Sequence, residues 1–569
     1  MRRYCLSWHL KKKYIDVLEA EEGVRHKVWG DALTICLVYP NLYRVGMSNL
    51  GFQTIYRLLN QSQSILCERA FLPDPEDWHF FSQGDRLFSL ESQRSLDEFD
   101  FVAFSVSFEN DYPNILKILD LARIPLLSSE RSAKDPLIFC GGIAVTLNPE
   151  PLANFFDFFL LGEAEGIFPV FLPIMHQILR GKTNRDECFL SLQRDVPGVY
   201  VPRFYKVTYG DDQTIASVDP IHPSLPPQIR KVTAESLNVF LTEQALFSQN
   251  TEFGAMHLTE VNRGCNRGCR FCAAGYIYRP ARFRSMKTLE PSIHRGIERK
   301  RSIGLIGTAV SDHPELPAIC HAILRNGGKI AIGSLRADRI DRDIAHILHK
   351  AGVETVSIAP EAGSQRLRNL IGKGLTEEDI LKAADLLIDH HISNLRLYFL
   401  IGLPTEMDAD IDAIIHMVWK IQHRIRRQWD GLRRFRRITL SVNQFIPKAA
   451  TPFQWFPLED IQIVRKRIQV IKSAFRRDPT VRVIHDVPKW NYLQALLSLG
   501  DRRIGAVLLT AHNFGGDWSK AYRETLVNTD FFVYRQKKIA ETLPWDFIDY
   551  GVSKAFLRKE FERALSKSG

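Results

Sequence analysis

Thr259-Glu260-Val261-Asn262-Arg263-Gly264-Cys265-Asn266-Arg267-Gly268-Cys269-Arg270-Phe271-Cys272 holds three cysteines at a CxxxCxxC spacing in a short basic loop. Residues 257–262 read as a strand, so the thiols fall just past a strand's carboxyl end. Three readings of the cysteines stand open at this point. A tetrahedral structural zinc site takes four protein ligands, so zinc would need a distant histidine such as His257 or His294. The thiols can also be buried apolar residues clustered by accident. A cubane 4Fe–4S cluster held by three thiolates keeps one iron open to a small molecule, which makes the loop a place of chemistry on a ligand.

Outward from this loop the pattern is α/β. Further strands are expected at 303–308, 329–334, 353–359, 394–401 and 438–445, with helical periodicity between them. Thr376-Glu377-Glu378-Asp379 opens one such helix. Its hydroxyl N-cap and acidic first turn complement the orphan amides there. Six strand–helix repeats predict a partial (βα)6 TIM-type barrel with its site at the carboxyl strand ends. Upstream, strands at 33–39, 64–68, 101–107, 137–140 and 156–161 alternate with helices at 48–60, 112–123 and 164–180. That alternation predicts a flavodoxin/Rossmann-like, doubly wound parallel sheet, which binds ligands beyond the carboxyl ends of its strands. Gly141-Gly142 and Gly162-Glu163-Ala164-Glu165-Gly166 follow two of these strands. They mark places where backbone passes close to a ligand or a neighbouring element. The expected division is 1–180, a breaker-rich connector at 181–250 with strand character near 199–208, the barrel at 251–455, and an α-rich extension at 456–569. Within that extension a helix near 458–476 and a strand at Val481–His485 stand out.

Composition is that of a soluble globular protein, with 45% hydrophobic and 25% charged residues in 569. The apolar stretch before Lys11-Lys12-Lys13 is too short for a signal-peptide core. Phe155–Met175 is broken by Asp157, Glu163 and Glu165 and reads as no membrane span. A cytoplasmic protein without membrane contact is expected. Cys5, Cys36, Cys67, Cys140, Cys188 and Cys320 are scattered singly, which is not a disulfide framework. Net charge is +10, with seven arginines between Arg424 and Arg437 and with Trp429 and Phe435 among them. Basic plus aromatic is the composition of an RNA-binding surface; a solvated helix end leading into a strand has the same composition.

Residues 259–284 resemble the cluster loop of radical S-adenosylmethionine (radical SAM) enzymes, including the aromatic Phe271 before the third cysteine. The later segments match in order: Gly304 to Thr308, Ser334 to Asp338, Ala359 to Ser364, Gly402-Leu403-Pro404-Thr405-Glu406, and Phe445 to Phe453. The front half resembles the cobalamin-binding-like domain that precedes the barrel in one branch of this superfamily, and the resemblance runs into the C-terminal extension.

The resemblance implies that Cys265, Cys269 and Cys272 ligate a 4Fe–4S cluster, with Arg263, Arg267 and Arg270 favouring the thiolates. It implies that the open iron chelates S-adenosylmethionine and that one electron opens it to a 5′-deoxyadenosyl radical. By position, Gly307 and Thr308 would meet the methionine ammonium. Ser334, Arg336 and Arg396 would face the carboxylate, Glu361 the ribose and Gly402 the adenine. Glu361 paired with Arg336 as a brace is the bland alternative. A reductant such as a flavodoxin or ferredoxin is implied. The substrate class stays open among RNA, peptide and small molecule, with methyl transfer one reaction of the branch. Where cobalamin domains carry D-x-H-x-x-G, this chain reads Asn41-Leu42-Tyr43-Arg44-Val45-Gly46 and offers no axial histidine, which leaves open both cobalamin bound without one and a domain that keeps the fold without the cofactor. A methylthiotransferase-like sulfur insertion with a second cluster on Cys5, Cys36 and Cys67, and a non-catalytic scaffold that binds a cluster or nucleic acid, are the alternatives.

Overall fold

The computed structural model describes residues 8–24, 27–180, 184–428 and 435–566. The first sheet is built from β1 (Leu33–Tyr39), β2 (Ile65–Phe71), β3 (Phe101–Ser105), β4 (Leu137–Gly141), β5 (Phe158–Leu160) and β6 (Val199–Tyr200). Their order is β2-β1-β3-β4-β5-β6, parallel except for β6. The chain runs outward from β1 in one direction to β2 and then in the other from β3, so the switch point lies between β1 and β3. Every residue of β1 and β2 is buried, as the near-continuous apolar runs of covered parallel strands require. The expected strand at 199–208 divides into β6 and β7 (Tyr205–Tyr209); β7 pairs antiparallel with β8 (Ile215–Pro220). Pro202 opens a turn between β6 and β7 and removes a ladder donor.

After the short strand β9 (Ile229–Arg230) comes the second series. It contains β10 (Met256–Arg263), β11 (Arg282–Phe283), β12 (Ser302–Gly307), β13 (Ile330–Ile332), β14 (Ser334–Leu335), β15 (Thr355–Glu361), β16 (Asn394–Ile401), β17 (Arg437–Gln444) and β18 (Val481–His485). The pairings run β11-β10-β12-β13 and β14-β15-β16-β17-β18, parallel except for β11. The expected strand at 329–334 is interrupted at Gly333, which separates β13 from β14. With those two counted as one, seven parallel strands replace the expected six. The seventh, β18, lies beyond residue 455 and reaches the sheet through its pairing with β17.

The C-terminal segment does not stand apart. β19 (Ile548–Asp549) pairs parallel with β9. One continuous buried core joins the first sheet to Trp455, Leu496, Val507, Trp545 and Phe561, while a second core fills the β10–β18 series. Buried polar bonds stitch the same contact: Asn148 donates to the Ser498 and Gly500 carbonyls, and Tyr550 Oη donates to Leu147 O at 2.6 Å. No helix among the described residues is long and apolar enough to cross a membrane.

Candidate active site

The cysteine loop leaves β10 at Arg263 and ends on a short helix, Ala274–Ile277. Gly264 makes the turn. Its φ is +88°, and a Cβ there would lie 2.0 Å from Tyr278 O, so both backbone conformation and space call for glycine. The Gly264 N–H donates to Thr308 Oγ1 at 3.1 Å, and the Asn262 amide donates to Gly264 O, tying the loop to the end of β12. Arg270 N–H donates to Ile371 O at 2.8 Å and anchors the far side. Around Gly268 a Cβ would meet nothing within 4 Å, so the loop's crest faces open space.

Cys269 is buried, while Cys265 and Cys272 are half-buried. Among the described residues, the three ligating side chains whose donor atoms all lie within 4.8 Å of one another are Asp74, Glu76 and Asp77, not the cysteines. Two sulfurs on one tetrahedral zinc ion, bonded at ~2.3 Å, stand only about 3.8 Å apart. The three thiols therefore do not stand as one preformed tight ligand set. Neither zinc histidine comes to the loop. His257 lies buried against Ser292 Oγ at 2.8 Å, and His294 is exposed beside Glu290. Burial pushes the Cys272 thiol up to about 11, partly offset by the Gly275 and Ala274 amides. Burial also raises Cys269, with Lys373 and Arg336 pulling it back down.

Those two cations add to the loop's own arginines, which are themselves held by carboxylates. Arg263 is committed to Glu163, Glu165 and Glu260, Arg267 to Asp312 at 2.7 Å, and Arg270 to Glu560 at 3.0 Å and the Asn369 and Leu370 carbonyls. Their guanidiniums are held by carboxylates through charge-assisted bonds, while Arg267 also feels the Cys265 sulfur and its backbone N–H donates to that sulfur at 3.4 Å.

The remaining expected residues are placed as follows. Phe271 packs half-buried against a small core of Leu367, Leu370, Phe445 and Ala564. Gly307 and Thr308 end β12, and a Cβ on Gly307 would meet Asn262 Oδ1 at 2.0 Å. Ser334 is exposed on β14. The alternative reading, a Glu361–Arg336 brace, does not form: Glu361, at φ +66°, accepts from Lys373 Nζ at 3.0 Å, and Arg336 pairs with Asp338 at 2.9 Å. Arg396 lies with its guanidinium 5.4 Å from the Tyr398 ring centre, and its buried Nε has no partner. Gly402, at φ +73°, donates its N–H to Glu406 Oε2 at 2.7 Å. Burial pushes the Glu406 carboxyl up to about 7 even with Arg467 2.8 Å away.

Sequence reasoning missed Lys373, the Glu406–Arg467 pair, and the network around Arg263. The last carried a signal, two glutamates in a glycine-rich turn after a strand. Its glycines serve a neighbouring element, since a Cβ on Gly162 would lie 2.3 Å from Val232 O. Its carboxylates reach the cysteine loop. Glu163 accepts from Arg263 at 3.0 Å and from Arg282 at 2.6 Å, and Glu165 accepts from Arg263 at 2.8 Å. Above this network lies a cavity of about 500 Å³ between the carboxyl ends of the first sheet and those of β10 and β12.

The family model for the N-terminal part of radical SAM proteins matches residues 51–202, and that of the radical SAM superfamily matches 259–418. An uncharacterised protein of Methanocaldococcus jannaschii, MJ0966, is 28% identical over 83% of this chain and 90% of its own length. The threonylcarbamoyladenosine tRNA methylthiotransferase MtaB of Aquifex aeolicus is 20% identical over 39% of this chain and 53% of its own. Among solved structures, the radical S-adenosylmethionine methyltransferase TsrM of Kitasatospora setae, with cobalamin and a 4Fe-4S cluster bound, aligns with a TM-score of 0.47 at 13% identity, covering 72% of each chain. The cobalamin-dependent S-adenosylmethionine radical enzyme OxsB aligns with a TM-score of 0.45 at 14% identity over 95% of this chain and 80% of that one. The two family models fall in order on the first sheet and on the β10–β18 series, and the chain belongs to the radical SAM superfamily as one of its enzymes.

Proposed function

We propose that Cys265, Cys269 and Cys272 hold a 4Fe–4S cluster and that the strand ends facing them bind S-adenosylmethionine. The observation that carries this reading is three thiols on one loop at the carboxyl end of β10, with His257 and His294 both engaged elsewhere. What the bound cluster supplies is one low-potential electron, which opens the sulfonium reductively to a 5′-deoxyadenosyl radical. The chain's own residues do the rest. Lys373 and Arg336 place positive charge beside Cys269 and stabilise a thiolate. The unpartnered Arg396 Nε is the donor free to meet a carboxylate. Gly307 and Thr308 supply backbone at the mouth of β12, Ser334 a hydroxyl, and Glu361 an acceptor held by Lys373. Gly402 shapes the turn that would lie against the adenine, and Phe271 closes the loop's inner side. The electron would come from a small reductant such as a flavodoxin or ferredoxin.

These residues offer cobalamin no axial protein ligand. Asn41 is bonded to Asp111 at 2.7 Å, and Tyr43 Oη donates to Glu21 at 2.6 Å, so neither is free as a ligand. None of the described residues lining the cavity is His, Cys, Met or Lys. No step through a corrin is derived. The two-cluster alternative gains nothing either: Cys36 and Cys67 are buried on adjacent strands, and Cys5 lies outside the described residues. Of the basic run, Arg424 and Arg436 are paired with Asp385 and Glu354; Trp429, Arg433 and Arg434 lie outside the described residues.

Anaerobic reconstitution followed by iron counting and a 5′-deoxyadenosine assay tests the reading. One cubane per chain with reductant-dependent product supports it. Product equal to that of a Cys265→Ala, Cys269→Ala, Cys272→Ala triple variant would sink it.

A further inference from the structure

The cavity between the two sheets sits where a parallel sheet binds ligands, beyond its carboxyl strand ends at the switch point. Leu37 of β1 and Ala103, Phe104 and Ser105 of β3 line it, with Phe139 of β4 and Leu160 of β5 alongside. Its opposite wall is Asn262, Arg263, Gly307 and Thr308, the strand ends that flank the cysteine loop. At about 500 Å³ it has room for roughly seventeen waters at ~30 Å³ each, within the ~300–1,000 Å³ range of small-molecule sites.

Charge in the wall is balanced and committed. A guanidinium has five N–H donors. Those of Arg263 go to Glu260 Oε1 (2.8 Å) and Oε2 (2.9 Å), Glu165 Oε1 (2.8 Å) and Oε2 (3.3 Å), and Glu163 Oε2 (3.0 Å), which leaves none. Glu163 is held further by Arg282, and Glu260 by Arg284 at 2.6 Å. Three carboxylates thus face three guanidiniums. An anionic ligand would find no free cation in this wall, and a cationic one no free carboxylate. A free donor remains at Thr308, whose Oγ1 accepts from Gly264 and keeps its own proton to give. The opposite floor is largely apolar, with only uncharged polar side chains such as Asn49, Ser105 and Ser107 among its aliphatic and aromatic ones.

We infer that this cavity binds the enzyme's substrate and that the substrate is an uncharged, largely apolar small molecule, its polar end turned toward Thr308. The inference rests on the cluster reading above for the word substrate, and on the cavity alone for the chemistry. It sets aside a nucleic-acid backbone and a charged peptide as occupants of this site.

The probe pair is N-phenyl-1-naphthylamine, uncharged, and its sulfonate, 8-anilinonaphthalene-1-sulfonate. Equilibrium dialysis on the full-length, anaerobically reconstituted protein should give one equivalent of the neutral probe, with the sulfonate at least tenfold weaker. Gly141 lines the cavity, and a Cβ there meets only ordinary contacts at 3.6 Å or more, so Gly141→Leu should weaken the neutral probe at least tenfold. No binding of the neutral probe, equal binding of the sulfonate, an unchanged Gly141→Leu, or stoichiometric hydroxocobalamin that displaces the probe would each overturn the inference. The charge preference is read in the wild type and survives a variant that fails to fold. Iron and 5′-deoxyadenosine, measured in the same samples, report the cluster reading separately.

Discussion

Replacing Arg263 by alanine tests whether the two sheets are locked by charge. In the folded protein its guanidinium joins Glu163 and Glu165 of the first region to Glu260 of β10, with every side chain of the four 14% exposed or less. Arg282 and Arg284 still hold Glu163 and Glu260 in the variant. Glu165 loses all of its bonds to Arg263. Removing one partner of a buried pair costs about 3–5 kcal/mol, because an uncompensated charge is left behind. The Arg263→Ala penalty should fall in that range by urea denaturation. Its pH dependence follows from the sign of the shifts. Arginine neighbours hold Glu163 and Glu260 below the usual carboxylate range. Their stabilisation is present above the unfolded pKa and is lost as pH falls through the folded one. Without Arg263 the carboxylates protonate more easily, so the penalty should be smaller at pH 5.5 than at pH 8. A second change, Glu165→Gln, should recover about half of it, since the stranded charge is then gone. A penalty under about 1 kcal/mol, or one independent of pH, would refute the lock.

Gly264→Ala should cost about 2–5 kcal/mol, combining backbone strain with a clash against Tyr278 O, and iron retention should fall with thermal stability. Glu406, raised by burial from 4.5 to about 7, binds its proton more tightly folded than unfolded. It should therefore lower stability as pH climbs through that window, by up to about 3 kcal/mol; the difference in stability-versus-pH slope between wild type and Glu406→Gln measures it. Glu560→Gln weakens the ion pair with Arg270, where the side chains are 14% and 5% exposed. A loss of about 1–3 kcal/mol and faster release of iron on air exposure are expected, and unchanged iron release would mean that the C-terminal helix Lys554–Ser566 does not steady the loop.

Much of this was legible beforehand, for reasons that differ by element. β1 reads Leu33-Thr-Ile-Cys-Leu-Val-Tyr39 and is buried throughout; so uniform an apolar run between breakers has few other fates. The helix at Glu377–Asp389 begins where Thr376 and Asp379 form a reciprocal cap, a local signal that needs no tertiary partner. The joint of β6 and β7 was less legible, because the pattern continues while Pro202 interrupts the pairing. Lys373 was invisible, as its link to Glu361 depends on where the loop after β15 folds back.

The sequence by itself determined the two parallel series, their strand ends and the loop with its three thiols, because periodicity, breakers and cysteine spacing act within a few residues along the chain. By resemblance it also put Asn41 and Tyr43 where cobalamin domains carry the aspartate and histidine of their motif. Only the tertiary structure decided which carboxylates hold the loop's arginines, since Arg263, Arg267 and Arg270 lie next to the cysteines in sequence while Glu163, Asp312 and Glu560 come from distant segments. Only it placed the C-terminal segment in one core with the first sheet and enclosed a charge-balanced cavity between the sheets. Such pairings are settled by which groups share a site shielded from water, where Coulomb attraction is strongest, and that is a property of the folded chain rather than of neighbours along it.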